Sequence, residues 1–335
     1  MKKRNGLIFS LVVIAVVLAF AWQPALAKQS YRVGLEVSGK SIPYKAAEKL
    51  AAYVKEKTNG EYTLRLFPGG QLGPAREQFQ QMKMGTLDFA LHTNNSPTLV
   101  KEGKNFNATA SPYVFRSAEE YRKFLKSPLA QEMSSWLEEG GITVVGYTGY
   151  RPPRALTTTN TPVRTPEDMK GMKIRVPGMK SIRAFFQECG ANPTPMPFTE
   201  LFTALKTGVV VGQDNGIDIV QPNGFYAVQK YYMKLDHALG AHILYASAAK
   251  WKKVPDSLKK VIIEGCDVAA DFSNKTFDEY QNVAYKELEE KGMTILDVDK
   301  AAFEEIGKKV WVKFDGILWD KGFMDRVQKQ LAEFR

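Results

Sequence analysis

The arginine in Lys173-Ile174-Arg175-Val176 is the residue best placed to do chemistry. Side chains alternate along a strand, so Ile174 and Val176 share one face and Arg175 takes the other. A guanidinium on a buried strand needs a partner, because an unmatched buried charge carries a large desolvation penalty. That partner is either a carboxylate of the protein, such as Asp168, or the carboxylate of a ligand. The planar fork suits both, since it offers two parallel N–H donors. Nucleophilic catalysis has weaker candidates. Cys189 and Cys266 both sit in helical apolar patterns, which favours inert buried thiols over a disulfide or a nucleophile. His237 and His242 are five positions apart, the wrong spacing for a helical zinc pair. The chain has no GxSxG, HExxH or P-loop motif, and Gly69-Gly70 reads as a turn.

Arg175 has to be held by a sheet, and the pattern around it supplies one. Strands are expected at 31–37, 62–67, 86–91, 142–147, 173–176 and 243–247. Helices are expected at 43–58, 76–84, 117–126, 129–139, 179–188 and 199–206, the last capped by Thr199 with Glu200 in its first turn. Alternating strands and helices argue for an α/β fold with parallel strands. Strand ends line the ligand crevice in such sheets, so Glu36 after the first strand, and Asn94 and Asn95 after the third, are candidate contacts. His92 reads as structural. Pro255 opens a helical pattern that reaches about Lys291, long enough to span two domains and lacking a sustained heptad.

Lys2, Lys3 and Arg4 precede an apolar run from Leu7 to Trp22 and an Ala25-Leu26-Ala27 cleavage site, which reads as a signal peptide over 1–27. Removing it leaves about 308 of the 335 residues, enough for two domains, and lowers the net charge of +10 by three to +7. The basic residues are scattered and lack a stripe with interleaved aromatics, which argues against a nucleic-acid partner. No later segment is apolar enough for membrane insertion, so the mature chain is expected to be exported and soluble.

The segments 71–91 (QLGPAREQFQQMKMGTLDFAL), 165–178 (TPEDMKGMKIRVPG) and 190–215 (GANPTPMPFTELFTALKTGVVVGQDN) resemble blocks of one family. So does 252–262 (KKVPDSLKKVI). They are similar to the periplasmic solute receptors of tripartite ATP-independent periplasmic (TRAP) transporters, in family order over nearly the whole mature chain. The resemblance implies a two-lobed periplasmic-binding-protein-like α/β fold that closes on its ligand like a hinge, with the long helix bridging the lobes. It implies lobe I at 28–151 plus 241–280 and lobe II at 152–240 plus 281–335. It implies a receptor rather than an enzyme, a small organic carboxylate as ligand, and a membrane permease driven by an ion gradient as partner. A receptor for an ATP-driven importer or a sensor kinase is the alternative that the same fold allows.

Carried over residue by residue, the resemblance makes Arg175 the partner of the ligand carboxylate. Arg154 takes the place of a second arginine, with Arg151, across the Pro152-Pro153 insertion, as its competitor. Asn215 matches a ligand-contacting position, and its amide can both donate and accept. Phe198 matches an apolar position near the ligand, and Asp214 is a further candidate. Family members that bind a metal use an acidic residue followed by tryptophan, where this chain has Asp214-Asn215; no metal or other cofactor is therefore expected.

Overall fold

The computed structural model describes residues 29–335, so the expected signal peptide lies outside the described residues. β1 (Gln29–Gly34), β2 (Tyr62–Phe67) and β3 (Phe89–Thr93) run parallel and are joined by helices Ile42–Lys57 and Ala75–Lys83. Ser41 starts the first helix by accepting a hydrogen bond from the Tyr44 N–H, and Ala46, Ala47, Leu50 and Val54 form its buried stripe. Helices Ala118–Leu125 and Pro128–Glu139 then lead into β4 (Ile142–Arg151).

Past Arg151 the chain crosses to a second sheet. It comprises β5 (Ala155–Thr158), β6 (Lys173–Val176), β7 (Asn192–Pro195), β8 (Gly212–Asn215) and β9 (Tyr231–Met233). The chain returns as β10 (Gly240–Ser247), and β11 (Thr294–Leu296) closes the second sheet. The spatial orders are β2-β1-β3-β10-β4 and β11-β9-β5-β8-β6-β7. Neither sheet is wholly parallel. β10 runs antiparallel to both β3 and β4, and β5 runs antiparallel to β8 and β9.

Two crossings lie side by side, β4 to β5 and β9 to β10, held together where the Arg154 N–H donates to the Ala238 carbonyl at 2.9 Å. The third is the helix Asp256–Glu290, roughly 50 Å long at 1.5 Å per residue. Its Leu258, Ile262, Cys266 and Ala269 pack into the first core and its Ala284 and Leu288 into the second. Gly149 (φ +135°) lets this helix approach β4, since a Cβ there would lie 2.4 Å from Ser273 Cβ. The register of β4 and β10 shifts between His242 and Ile243 at this point.

The end of the chain departs from the expected division of the lobes. The reading placed all of 281–335 in lobe II, but Phe323, Met324, Val327 and Leu331 of the helix Phe323–Ala332 are buried in the core beneath β10. Their apolar stripe meets Phe124, Met133 and Leu137 from the helices before β4. Among the described residues, no helix is long and apolar enough to cross a membrane.

Candidate functional site

A cavity of about 300 Å³ opens between the two sheets. Glu36, Leu91, His92, Thr93, Ser96 and His242 line it from the first sheet and its loops. Arg154, Arg175, Met196, Phe198, Ile219 and Asn215 face them, and Arg151 lies at the crossing.

β6 holds Arg175 as its alternation requires. Ile174 and Val176 are fully buried in the second core, and the guanidinium turns to the cavity with the residue only 3% exposed. Nε and Nη2 both donate to the Met196 carbonyl, at 3.1 and 2.9 Å. No carboxylate lies within ion-pair distance of Arg175 among the described residues. Asp168 is occupied elsewhere, accepting from the Arg164 and Thr165 N–H groups at 2.8 and 2.9 Å. Burial pulls the Arg175 guanidinium down to about 10, against the pull of the Asp214 charge.

The other two arginines are also buried, and both are already matched. Arg154 Nε donates to Asp214 Oδ2 at 3.0 Å, while Nη2 bonds Oδ1 and donates to the Asp214 carbonyl at 2.6 Å. Arg151 Nε donates to Asp218 Oδ2 at 2.7 Å. Asp214 does not line the cavity. It is fully buried behind Arg154, and His237 Nε2 donates to its Oδ2 at 3.0 Å. Burial alone would raise its carboxyl, but Arg154 and His237 outweigh burial and hold it well below the usual carboxylate range.

Asn215 and Phe198 both line the cavity. The Asn215 amide donates along β8 to Gln213 Oε1 at 2.7 Å, and Gln213 donates across to Thr157 Oγ1 of β5 at 2.6 Å, so a chain of side-chain bonds fixes its orientation. Phe198 packs edge-on to Phe225. Thr199 makes no cap, because Phe198–Glu200 forms a 3₁₀ turn without a side-chain cap bond. Glu36 lines the opposite wall and accepts from the Ala75 N–H at 2.8 Å. Burial raises its carboxyl, offset by that N–H and by Arg175. Asn94 and Asn95 do not reach this cavity. Asn94 Oδ1 accepts from the Ala241 N–H at 2.8 Å, tying the end of β3 to β10, and its side chain faces a separate cavity beside Tyr121 and Tyr147.

Two lining histidines escaped the sequence reading as site residues. His92, expected to be structural, bonds Gln78 Oε1 through Nε2 at 2.9 Å and also borders the cavity. His242 borders it from β10. Burial lowers His92 to about 3 and, with the nearby Arg151 charge, holds His242 well below 6.5. In the unfolded chain each imidazole takes up a proton near pH 6.5; in the fold neither does. Their contribution is therefore intact above pH 6.5 and is lost as pH falls below it, for His92 by on the order of 2 kcal/mol at pH 5. The ligand-free protein is expected to lose Tm steadily between pH 7 and 5, and His92→Gln to remove about half of that loss. Identical slopes in the two proteins would contradict the assignment.

Both cysteines are free and buried, and burial pushes the Cys189 thiol up to about 12 and the Cys266 thiol above its usual range. Among the described residues, only burial and acidic neighbours act on the two thiols, and both disfavour a thiolate.

The matched family model, bacterial extracellular solute-binding protein, family 7, covers residues 33–316. The chain is 30% identical over 306 residues to the 2,3-diketo-L-gulonate-binding periplasmic protein of Escherichia coli K12, covering 89% of this chain and 90% of that one. A TRAP periplasmic solute-binding protein from Ochrobacterium anthropi with bound L-fuconate superimposes with a TM-score of 0.85 at 29% identity, over 91% of this chain and 100% of that one. Another, from Actinobacillus succinogenes with bound L-galactonate, gives 0.86 at 26% identity over 91% and 100%. With its two sheets, bridging helix and interlobe cavity, this chain belongs to the family 7 bacterial extracellular solute-binding proteins, the solute receptors of TRAP transporters.

Proposed function

We propose that this chain is a periplasmic receptor that captures a small organic carboxylate between two lobes and delivers it to an ion-gradient-driven TRAP permease. The observation that carries the reading is Arg175, a buried cation at the cavity wall whose only hydrogen-bond acceptor among the described residues is a backbone carbonyl. In this reading its remaining donors take the ligand carboxylate. Arg154, Asn215 and Phe198 line the same cavity, and Glu36 lines it from lobe I.

In this reading lobe I comprises 28–151 and 241–280, and lobe II comprises 152–240 and most of 281–335; the final helix goes with lobe I because its apolar face is buried there. The three crossings form the hinge. Closure excludes water and strengthens the ion pair. Export by the signal peptide places the receptor where the permease would meet it. Three named relatives bind, or are solved with, 2,3-diketo-L-gulonate, L-fuconate and L-galactonate, which supports a sugar-derived acid.

A thermal-shift screen against a carboxylic-acid library tests the binding step. An acid present at 100 times its Kd should add about 2.7 kcal/mol of stability. NMR of the acids after incubation should find them unchanged, because nothing in the cavity is set up as a nucleophile; turnover would convert the receptor into an enzyme. Absence of any stabilising acid, or equal stabilisation in Arg175→Ala, would overturn the reading. Proteoliposomes carrying the cognate permease should take up the stabilising acid only when receptor and ion gradient are both present.

A further inference from the structure

Arg151 and His242 border the cavity and carry buried polar atoms with no partner among the described residues, and their chemistry narrows the ligand class. We infer that Arg151 and His242 form a hydroxyl-reading subsite, so that the ligand is a hydroxylated monocarboxylate rather than a diacid or a simple alkanoate. The inference rests on the receptor reading above and adds residues and a substrate class to it.

Arg151 ends β4 and pairs with Gly240 of β10, two residues from His242. The two side chains are therefore diagonal neighbours on adjacent strands, within reach of one small group. Both border the cavity. His242 is 2% exposed, and neither ring nitrogen meets a partner among the described residues. Arg151 spends Nε on Asp218, while its Nη2 is buried and unpartnered. Buried polar atoms are rarely left unpaired, and three orphans at one cavity wall point to a ligand that completes them.

The kinds of atom decide what completes them. Arg151 Nη2 is a donor and needs an acceptor. A neutral imidazole has one N–H and one bare nitrogen, and the bare nitrogen needs a donor. His242 is held neutral by burial and by the Arg151 charge. A carboxylate or a keto oxygen accepts from Arg151 but gives the bare nitrogen nothing. An alkyl chain satisfies neither. A hydroxyl accepts from Arg151 and donates to the bare nitrogen at once, and a second hydroxyl can accept from the imidazole N–H, so a polyhydroxylated chain completes all three.

Charge leads to the same ligand. Arg151 is balanced by Asp218 at 2.7 Å and Arg154 by the Asp214 carboxylate behind it. Arg175 is the one buried cation of the cavity left uncompensated among the described residues. One carboxylate fits there. A second, placed at Arg151, would meet a pair with no net charge and share the cavity with Glu36.

Calorimetry on the mature receptor tests this with three acid sets of matched length. The hydroxylated set is L-galactonate, L-fuconate and D-erythronate; the alkanoates are hexanoate and butanoate; the diacids are galactarate and adipate. The tightest hydroxy acid is expected to bind at least about 100-fold more tightly than its alkanoate and its diacid. His242→Leu should weaken that hydroxy acid by roughly 10- to 100-fold and leave the alkanoate within about threefold, erasing most of the preference. Arg151→Lys keeps a cation for Asp218 but removes Nη2, and should give the same pattern, which guards against a folding defect in either variant. A hydroxyl preference unchanged in both variants would sink the subsite while leaving the receptor intact, as would a diacid that binds best with Arg175 still required. Absence of binding by every acid to the wild type would overturn both proposals together.

Discussion

Arg175→Ala is expected to weaken acid binding by roughly 30-fold to several thousand-fold, with the protein still folded. The range follows from removing one partner of a buried charge pair, which costs about 2–5 kcal/mol because the other charge is left desolvated and unmatched. The fold should survive because no carboxylate among the described residues is ion-paired to Arg175. Its side chain spends two donors on one carbonyl, that of Met196, and the loss of those bonds is a local matter. Arg175→Lys should also bind poorly. An ammonium is a point charge on a flexible stem and cannot hold the Met196 carbonyl and both oxygens of a carboxylate in one plane. Titration calorimetry on variants with native circular dichroism decides the matter, and a Kd within threefold of wild type for Arg175→Ala would remove Arg175 from the binding site.

The residues most visible in the sequence are those whose packing follows a period. The stripe of Ala46, Ala47, Leu50 and Val54 marks a helix, and the alternation about Arg175 marks a strand with its guanidinium facing away from the core; both are as expected. The long helix after Pro255 announces itself by length alone. What escapes is structure without a period. β8 is Gly-Gln-Asp-Asn, wholly buried and wholly polar apart from its glycine, and it is held by cross-strand side-chain bonds rather than by apolar burial. β7 is Asn-Pro-Thr-Pro at a sheet edge, where prolines are tolerated because no ladder partner is required on one side. Strand direction is invisible as well. The run containing β10 is apolar on either reading, and only the three-dimensional return from the second sheet makes it antiparallel to β3 and β4.

The site divides along the same line. Arg175 is legible because a lone cation among apolar neighbours on a strand is unusual and demands an explanation. Asn94 reads as a ligand contact because it follows a strand, yet the backbone of β10 claims its carbonyl oxygen. His242 reads only as half of a histidine pair whose spacing is wrong for a helical zinc site, set among apolar residues. Its importance arises from Arg151, which is 91 positions away in sequence and one strand away in space. A signal did exist, in that a polar ring in Gly240-Ala241-His242-Ile243-Leu244 has to be satisfied by something.

Asp214→Ala is expected to destabilise the fold by about 3–5 kcal/mol, the largest stability change of any single substitution at the site. Asp214 is fully buried and receives Arg154 through two nitrogens and His237 through a third. Removing it leaves the Arg154 guanidinium buried with only the residue-214 backbone carbonyl as acceptor, and His237, flanked by Phe185 and Phe186, without its one partner. For a chain of this size the Tm should fall by on the order of 10 °C. Removing the charges together is a different experiment. A buried ion pair exchanged for apolar groups of similar volume is often neutral, because two desolvation penalties vanish with one attraction. Asp214→Leu combined with Arg154→Met should therefore recover most of the lost stability, the remaining deficit reporting on His237. Urea denaturation of the single and double variants gives the comparison. A single variant less than about 1 kcal/mol below wild type would mean that water reaches Arg154 and stands in for the carboxylate. A double variant no better than the single would mean that Asp214 supports the crossing between the lobes through His237 rather than through Arg154.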